Sequence, residues 1–130
     1  EEMQVNVRRI KENFENPEFT TFVCVCIPEF LSLFETERLV QELGTYGIDV
    51  SNIVVNQVLF PDECSECRKC RARTKMQKKY LDQIDLLYDG FSVVKMPLLD
   101  QEVRSKDSLL KFGDMLRTGK ADPHALPETD

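Results

Sequence analysis

Three cysteines, Cys64, Cys67 and Cys70, stand three residues apart in the stretch NQVLFPDECSECRKCRARTKMQKKY between Asn56 and Tyr80. Thiols at C-x2-C spacing suit a soft, tetrahedrally coordinated cation, because a tight turn aims two thiolates at one centre. Structural zinc takes four ligands, almost always Cys or His. This stretch has three thiols, and the single His, His124, lies in a tail with Pro123 and Pro127 where nothing holds it near the turn. Cys24 and Cys26 are two apart in an apolar run, so they share one face of a strand as small buried hydrophobes. A ferredoxin-style cluster needs a fourth Cys after a C-x3 gap, and position 74 is Thr. What remains for a metal is a half-site: two thiolates from this chain and two from a symmetry-related copy, with a homodimer as the consequence. The alternative is a set of reduced surface thiols. The adjacent Arg68, Lys69, Arg71 and Arg73 lower thiol pKa values and also suit a redox sensor, so spacing alone does not choose between them.

The elements that hold this stretch are readable from hydropathy. Asn52 to Phe60 is a strand around Ile53-Val54-Val55, and the chain turns at Pro61-Asp62. Ala72, Met76, Tyr80, Ile84, Leu87 and Tyr88 then mark a helix of several turns closed by Gly90. Upstream, Met3, Val7, Ile10 and Phe14 form one face of a helix that stops before Asn16-Pro17. The run TTFVCVCI, 20 to 27, has no polar alternation, which predicts a strand buried on both faces in a parallel sheet. Phe30, Leu33, Phe34, Val40 and Leu43 keep a helical stripe, ended by Gly44 and Gly47, on which Glu35 and Arg38 can pair. Phe91 to Met96 is a third strand stopped by Pro97. A last helix from about Asp107 to Arg117 turns Leu109, Leu110, Phe112 and Leu116 inward and ends at Gly119. The order αβαβαβα predicts parallel strands with right-handed crossovers, followed by a flexible tail from 120 to 130. In such sheets ligands sit beyond the carboxyl ends of the strands, which makes Asn56 a binding candidate as well as a turn residue.

At 130 residues the chain is one domain's worth, and its 42% hydrophobic and 31% charged content is that of an ordinary globular protein. No apolar run approaches the roughly 18 residues of a membrane-spanning helix, and the acidic start resembles neither a signal peptide nor a transit sequence, so a cytosolic setting is expected. Five cysteines, two inside a strand, argue against a secreted disulfide framework. The net charge of −6 repels nucleic acid and anionic lipid as a whole, although residues 68–79 carry seven Lys or Arg. Those bases are read as a solvated helix face.

Three stretches together resemble a known family: EFLSLFETERLVQEL at 29–43, NIVVNQVLFP at 52–61, and CRKCRARTKMQKKYLDQIDLLY at 67–88 followed by VVKMPLL at 93–99. They are similar to the ATPases of the guided entry pathway for tail-anchored membrane proteins, eukaryotic relatives of the arsenical pump-driving ATPase. The resemblance covers residues 1–117 and only the carboxyl-terminal part of that family. It implies an α/β fold with a parallel sheet and flanking helices, P-loop NTPase-like of the SIMIBI type, here incomplete. It also implies ATP, magnesium and zinc as cofactors, with Cys67 and Cys70 the zinc ligands, two from each subunit of a homodimer. Cys64 has no counterpart in the family motif. Glu29 and Asn56 match nucleotide-contacting positions, and Pro97, Leu98, Leu99, Asp100, Gln101, Glu102, Val103 and Arg104 match the loop that closes over adenine. Asn suits adenine because its amide sets a donor beside an acceptor, whereas a carboxylate at the head of a helix, as at Glu29, can equally serve the helix dipole.

No G-x-x-x-x-G-K-[ST] occurs in the sequence, so the β- and γ-phosphates and their magnesium have no cradle in this stretch. The resemblance implies a complete cytosolic ATPase that captures tail-anchored clients and delivers them to an endoplasmic reticulum receptor, working with upstream targeting factors. The Met3/Val7/Ile10/Phe14 stripe is either a remnant of the client groove or packing against the sheet. Two other functions are compatible with the thiols: arsenite-stimulated ATP hydrolysis in oxyanion extrusion, since trivalent arsenic also prefers soft ligands, and a non-enzymatic zinc module gripping nucleic acid, which the net charge disfavours.

Overall fold

The computed structural model describes residues 2–60 and 67–123. Its elements run α1 (Glu2–Glu15), β1 (Phe22–Cys26), α2 (Phe30–Thr45), β2 (Val50–Val58), α3 (Arg68–Leu87), β3 (Ser92–Pro97) and α4 (Lys106–Thr118). This is the alternation the sequence predicts. The three strands pair in parallel in the order β1-β2-β3, with Cys24 opposite Ile53 and Ile53 opposite Val93. The turn at Pro61-Asp62 and Cys64 lie outside the described residues, as do His124 and the end of the tail.

One face of the sheet is covered and carries the core. Cys24, Cys26, Val50, Ile53, Val55 and Val58 pack there with Leu33 of α2 and with Ile84 and Tyr88 at the far end of α3. Strand order that advances in one direction through right-handed crossovers sets both intervening helices on the same side, and α2 and α3 do share it. The expectation that β1 is buried on both faces is therefore corrected: Val25, pointing the other way, is 64% exposed. A continuous apolar run records what a strand tolerates on each face, and over β1 only one face is covered among the described residues. On that second face Met96 at the end of β3 is fully buried, near α4 and its inward Met115.

Helix registers also differ from the apolar stripes read in sequence. Along α3 and its C-cap the inward line is Gln77, Tyr80, Leu81, Ile84 and Tyr88, while Ala72, Met76 and Leu87 are exposed. In α4, Ser108 and Met115 are buried, and Leu109 and Leu110 are exposed. Ser105 caps α4 by accepting the Ser108 N–H at 3.1 Å, and Gly119 closes it at φ 67, the left-handed conformation that glycine adopts without a Cβ penalty. The Glu35–Arg38 pair on α2 is present at 3.2 Å. The apolar side chains of α1, Met3 to Phe14, are exposed, although Phe14 meets Phe22 edge-on at 5.6 Å.

Tyr88 is buried, and its hydroxyl finds no hydrogen-bond partner among the described residues. Burial, with smaller contributions from Cys26 and Glu37, pushes its pKa up to about 12. A buried hydroxyl without a partner loses its hydration for nothing, at about 1–3 kcal/mol. Tyr88→Phe is accordingly expected to leave stability unchanged or raise it by about 1 kcal/mol, measured by urea unfolding of the complete protein. A loss above that size means that the hydroxyl has a partner in the complete protein.

Candidate nucleotide and thiol site

The carboxyl end of β2 is irregular. Val55 pairs with Lys95 and Val58 with Pro97, so β2 spends three steps where β3 spends two, which is a bulge containing Asn56 and Gln57. Gln57 has φ 58, a left-handed backbone that a non-glycine residue occupies at a cost of about 1–3 kcal/mol. Asn56 is half-buried, and its Oδ1 accepts the Gln57 N–H at 2.9 Å. That leaves one oxygen lone pair and the whole NH2 group for a ligand, because the NH2 has no partner among the described residues.

Beside the bulge lies a cavity of about 120 Å³ lined by Ile27, Pro28, Glu29, Gln57, Leu59, Arg73, Met76, Gln77 and Leu98. It sits beyond the carboxyl ends of β1 and β2, where open α/β sheets place ligands. Glu29 occupies the N-cap position of α2 but makes no side-chain capping bond, so its carboxylate is exposed at the cavity mouth. Of the loop 97–104, Leu98 reaches this lining, and its N–H donates to the Val58 carbonyl at 2.9 Å. Pro97 is buried at the end of β3, Leu99, Gln101 and Val103 are half-buried, and Glu102 pairs with Arg104 at the surface. Asp100 is exposed. The structure thus brings Glu29 and Leu98 to one cavity next to Asn56, and does not bring residues 99–104 to its lining.

Gln57 and Gln77 are cavity residues that the sequence reading did not single out, and Arg73 figures there only as a basic neighbour of the thiols. Gln77 had a signal, since it stands on the inward line of α3 seven residues before Ile84 and is polar. It is 7% exposed, and both ends of its amide are used: Oε1 accepts the Leu59 N–H at 3.0 Å and Nε2 donates to the Leu59 carbonyl.

The thiols sit at the start of α3. Cys67 is its N-cap and Cys70 lies in its first turn, both exposed. The Cys67 thiol is pulled below its ordinary pKa by the backbone N–H of Cys70 first, then by the Cys70 side chain, the Lys69 N–H and the charge of Arg71. Two exposed thiols three residues apart, on a helix start that favours anions, form a suitable bidentate pair for a soft cation. No group of three or more possible metal ligands gathers among the described residues. A shared site with two thiolates per chain does not require one. Cys24 and Cys26 are buried, and burial raises both their thiol pKa values.

A parallel α/β sheet with its cleft at the strand ends is the layout of the phosphate-loop NTPase-like proteins. The sequence pattern of the anion-transporting ATPases matches residues 1–118, and the chain belongs to that family. It is 60% identical over 116 residues to "ATPase get3" of Neurospora crassa, covering 89% of this chain and 34% of the relative. It is 58% identical over 118 residues to "ATPase GET3" of Chaetomium globosum, covering 91% of this chain and 35% of the relative. With "ATPase get3" of Aspergillus niger the identity is 55% over 128 residues, 98% of this chain and 36% of the relative. The chain therefore spans about one third of the length of these relatives.

Proposed function

We propose that this chain is the adenine-binding and dimer-clasping part of an ATPase that delivers tail-anchored membrane proteins to the endoplasmic reticulum. The observation that carries the nucleotide half of this reading is the cavity at the strand ends, where Glu29, Gln57 and Leu98 meet beside an Asn56 whose amide NH2 has no partner among the described residues. Asn56 donates to a ring nitrogen of adenine, Leu98 supplies an apolar wall, and Glu29 stands at the mouth. ATP and magnesium bring the phosphate chemistry, which the phosphate loop elsewhere in the complete protein performs. Cys67 and Cys70 of one chain and the same pair of a second copy would be the residues to hold zinc, which would supply a clasp between the two copies. Clients, the membrane receptor and the targeting factors are met by the complete dimer in the cytosol and at the reticulum surface. No helix among the described residues is long and apolar enough to cross a membrane.

The test is Asn56→Ala in the complete protein. Losing one amide contact costs on the order of 1 kcal/mol, about fivefold in affinity. Calorimetry should show ATP and ADP weakened alike, because both share the base, with zinc content unchanged. A variant that lost discrimination between ATP and ADP while keeping its affinity for adenosine would sink the assignment. The description of the matched family as anion-transporting supports a second reading, ATP hydrolysis stimulated by arsenite at the thiols. Arsenite stimulation of the complete protein, abolished by Cys67→Ser, supports that reading over the first.

A further inference from the structure

We propose that Gln77 is the positioning residue that locks the thiol-bearing end of α3 to the nucleotide side of β2, so that the two move as one unit. This rests on the nucleotide reading above. Along α3 every residue from Cys67 to Arg73 is exposed, and Gln77 is the first buried side chain met from the thiol end. The helix is anchored to the core further on, by Tyr80, Leu81, Ile84 and Tyr88. Its first residues are therefore exposed, Arg73 reaching only the cavity lining, and among the described residues the buried attachment nearest the thiols is the pair of bonds from Gln77 to Leu59.

Those bonds have the form of a strand pairing. Leu59 follows the last residue of β2, and the Gln77 amide meets its N–H and its carbonyl as a neighbouring backbone would. The opposite edge of the same strand end is fixed by β3, through the Leu98 N–H on the Val58 carbonyl. Asn56 and Gln57, in the strained bulge, are thus held immediately upstream of a segment, Val58–Leu59, clamped from both sides. Toward the other end, Gln77 lies seven residues from Cys70, which is nearly two full turns, so both project from the same side of the helix about 10.5 Å apart along the axis. A displacement of Asn56–Leu59 on nucleotide binding is passed through the Gln77 amide to the helix rather than absorbed by an apolar contact that can slide. By linkage, whatever fixes the thiol end biases nucleotide affinity by the same factor.

The experiment is amide hydrogen exchange on the complete protein, read by peptide mass spectrometry with and without saturating ADP. ADP binding is confirmed by calorimetry on the same preparations. In the unaltered protein ADP is expected to slow exchange about threefold or more both in residues 55–60 and in the first turns of α3, residues 71–75. Gln77→Met keeps the side-chain volume and removes both bonds; ADP should then still slow residues 55–60 but no longer residues 71–75. Gln77→Glu, which keeps the acceptor for the Leu59 N–H and loses the donor, should retain part of the response. A merely structural Gln77 would raise exchange in both segments without separating their responses to ADP. The proposal is overturned if ADP binds the unaltered protein and leaves 71–75 unchanged, or if Gln77→Met transmits as before. Should Gln77→Met not fold, Gln77→Glu and the unaltered protein still decide it. Absence of ADP binding in the unaltered protein removes the nucleotide reading itself, and the coupling with it.

Discussion

The complete protein carrying Cys67→Ser and Cys70→Ser is expected to hold no zinc and to sediment as a monomer under conditions where the unaltered protein holds one zinc per two chains and sediments as a dimer. The expectation follows from ligand chemistry. A serine hydroxyl stays protonated near neutral pH and offers a hard, weak donor, whereas the Cys67 thiol is biased toward thiolate by the N–H groups of Cys70 and Lys69. Replacing both residues removes every ligand that one copy contributes to the proposed centre, so the clasp is lost altogether rather than weakened. The exposed position of both thiols at the helix start limits the cost to the fold itself. A sign follows for pH: metal binding displaces a proton from any thiol still protonated, so zinc affinity falls as the medium becomes acid. Elemental analysis that found one tightly held zinc per chain, or none in protein purified without chelator, would refute the shared site. A double variant that stayed dimeric would show that apolar surface, not metal, joins the copies.

Most of the fold was legible because β-branched runs and helical stripes are local signals, and the parallel order follows from their alternation. What the sequence did not disclose depends on partners distant in the chain. The run around Val23 and Val25 reads as buried on both faces, yet the coverage of a strand is decided by where other elements cross, and α2 and α3 cross on one side. In α4 two stripes overlap, one through Leu109 and Leu116 and one through Ser108 and Met115. Contact with β3 and the Ser105 cap select the second. The same competition in α3 sets Met76 against Gln77. Hydropathy favours Met76, but the backbone groups of Leu59 need a hydrogen-bonding partner where the helix meets them, and among the described residues Gln77 supplies it. Asn56 was visible as a polar residue at a strand end. The bulge and the positive φ of Gln57 were not, since glutamine carries no preference for that conformation.

Residues 1–130 taken by themselves are expected to bind nucleotide with millimolar affinity at best, about −4 kcal/mol, and to show no ATP hydrolysis. Most nucleotide affinity in phosphate-loop enzymes comes from backbone N–H groups, a lysine and magnesium around the phosphates, and the sequence contains no such motif. Two cations flanking the loop after β3 are already engaged: Lys95 bonds Asp85 of α3 at 2.7 Å, and Arg104 pairs with Glu102, so that Arg73 is the cation that lines the cavity itself. Recruiting Lys95 to a phosphate would break its pair with Asp85. The cavity of about 120 Å³ also falls well short of the roughly 300 Å³ that encloses a small-molecule ligand, so it can hold only part of a nucleotide. Calorimetry with ATP and magnesium on this chain, its mass verified, is the measurement. Micromolar binding, or turnover that survives removal of contaminating ATPases, would mean that cations of this chain hold the phosphates: Arg73 in the cavity lining, or Lys95 and Arg104 released from their carboxylate partners. Loss of that binding in Lys95→Ala or Arg104→Ala would then set the phosphate site on the β3 side of the cleft, and loss in Arg73→Ala on the α3 side.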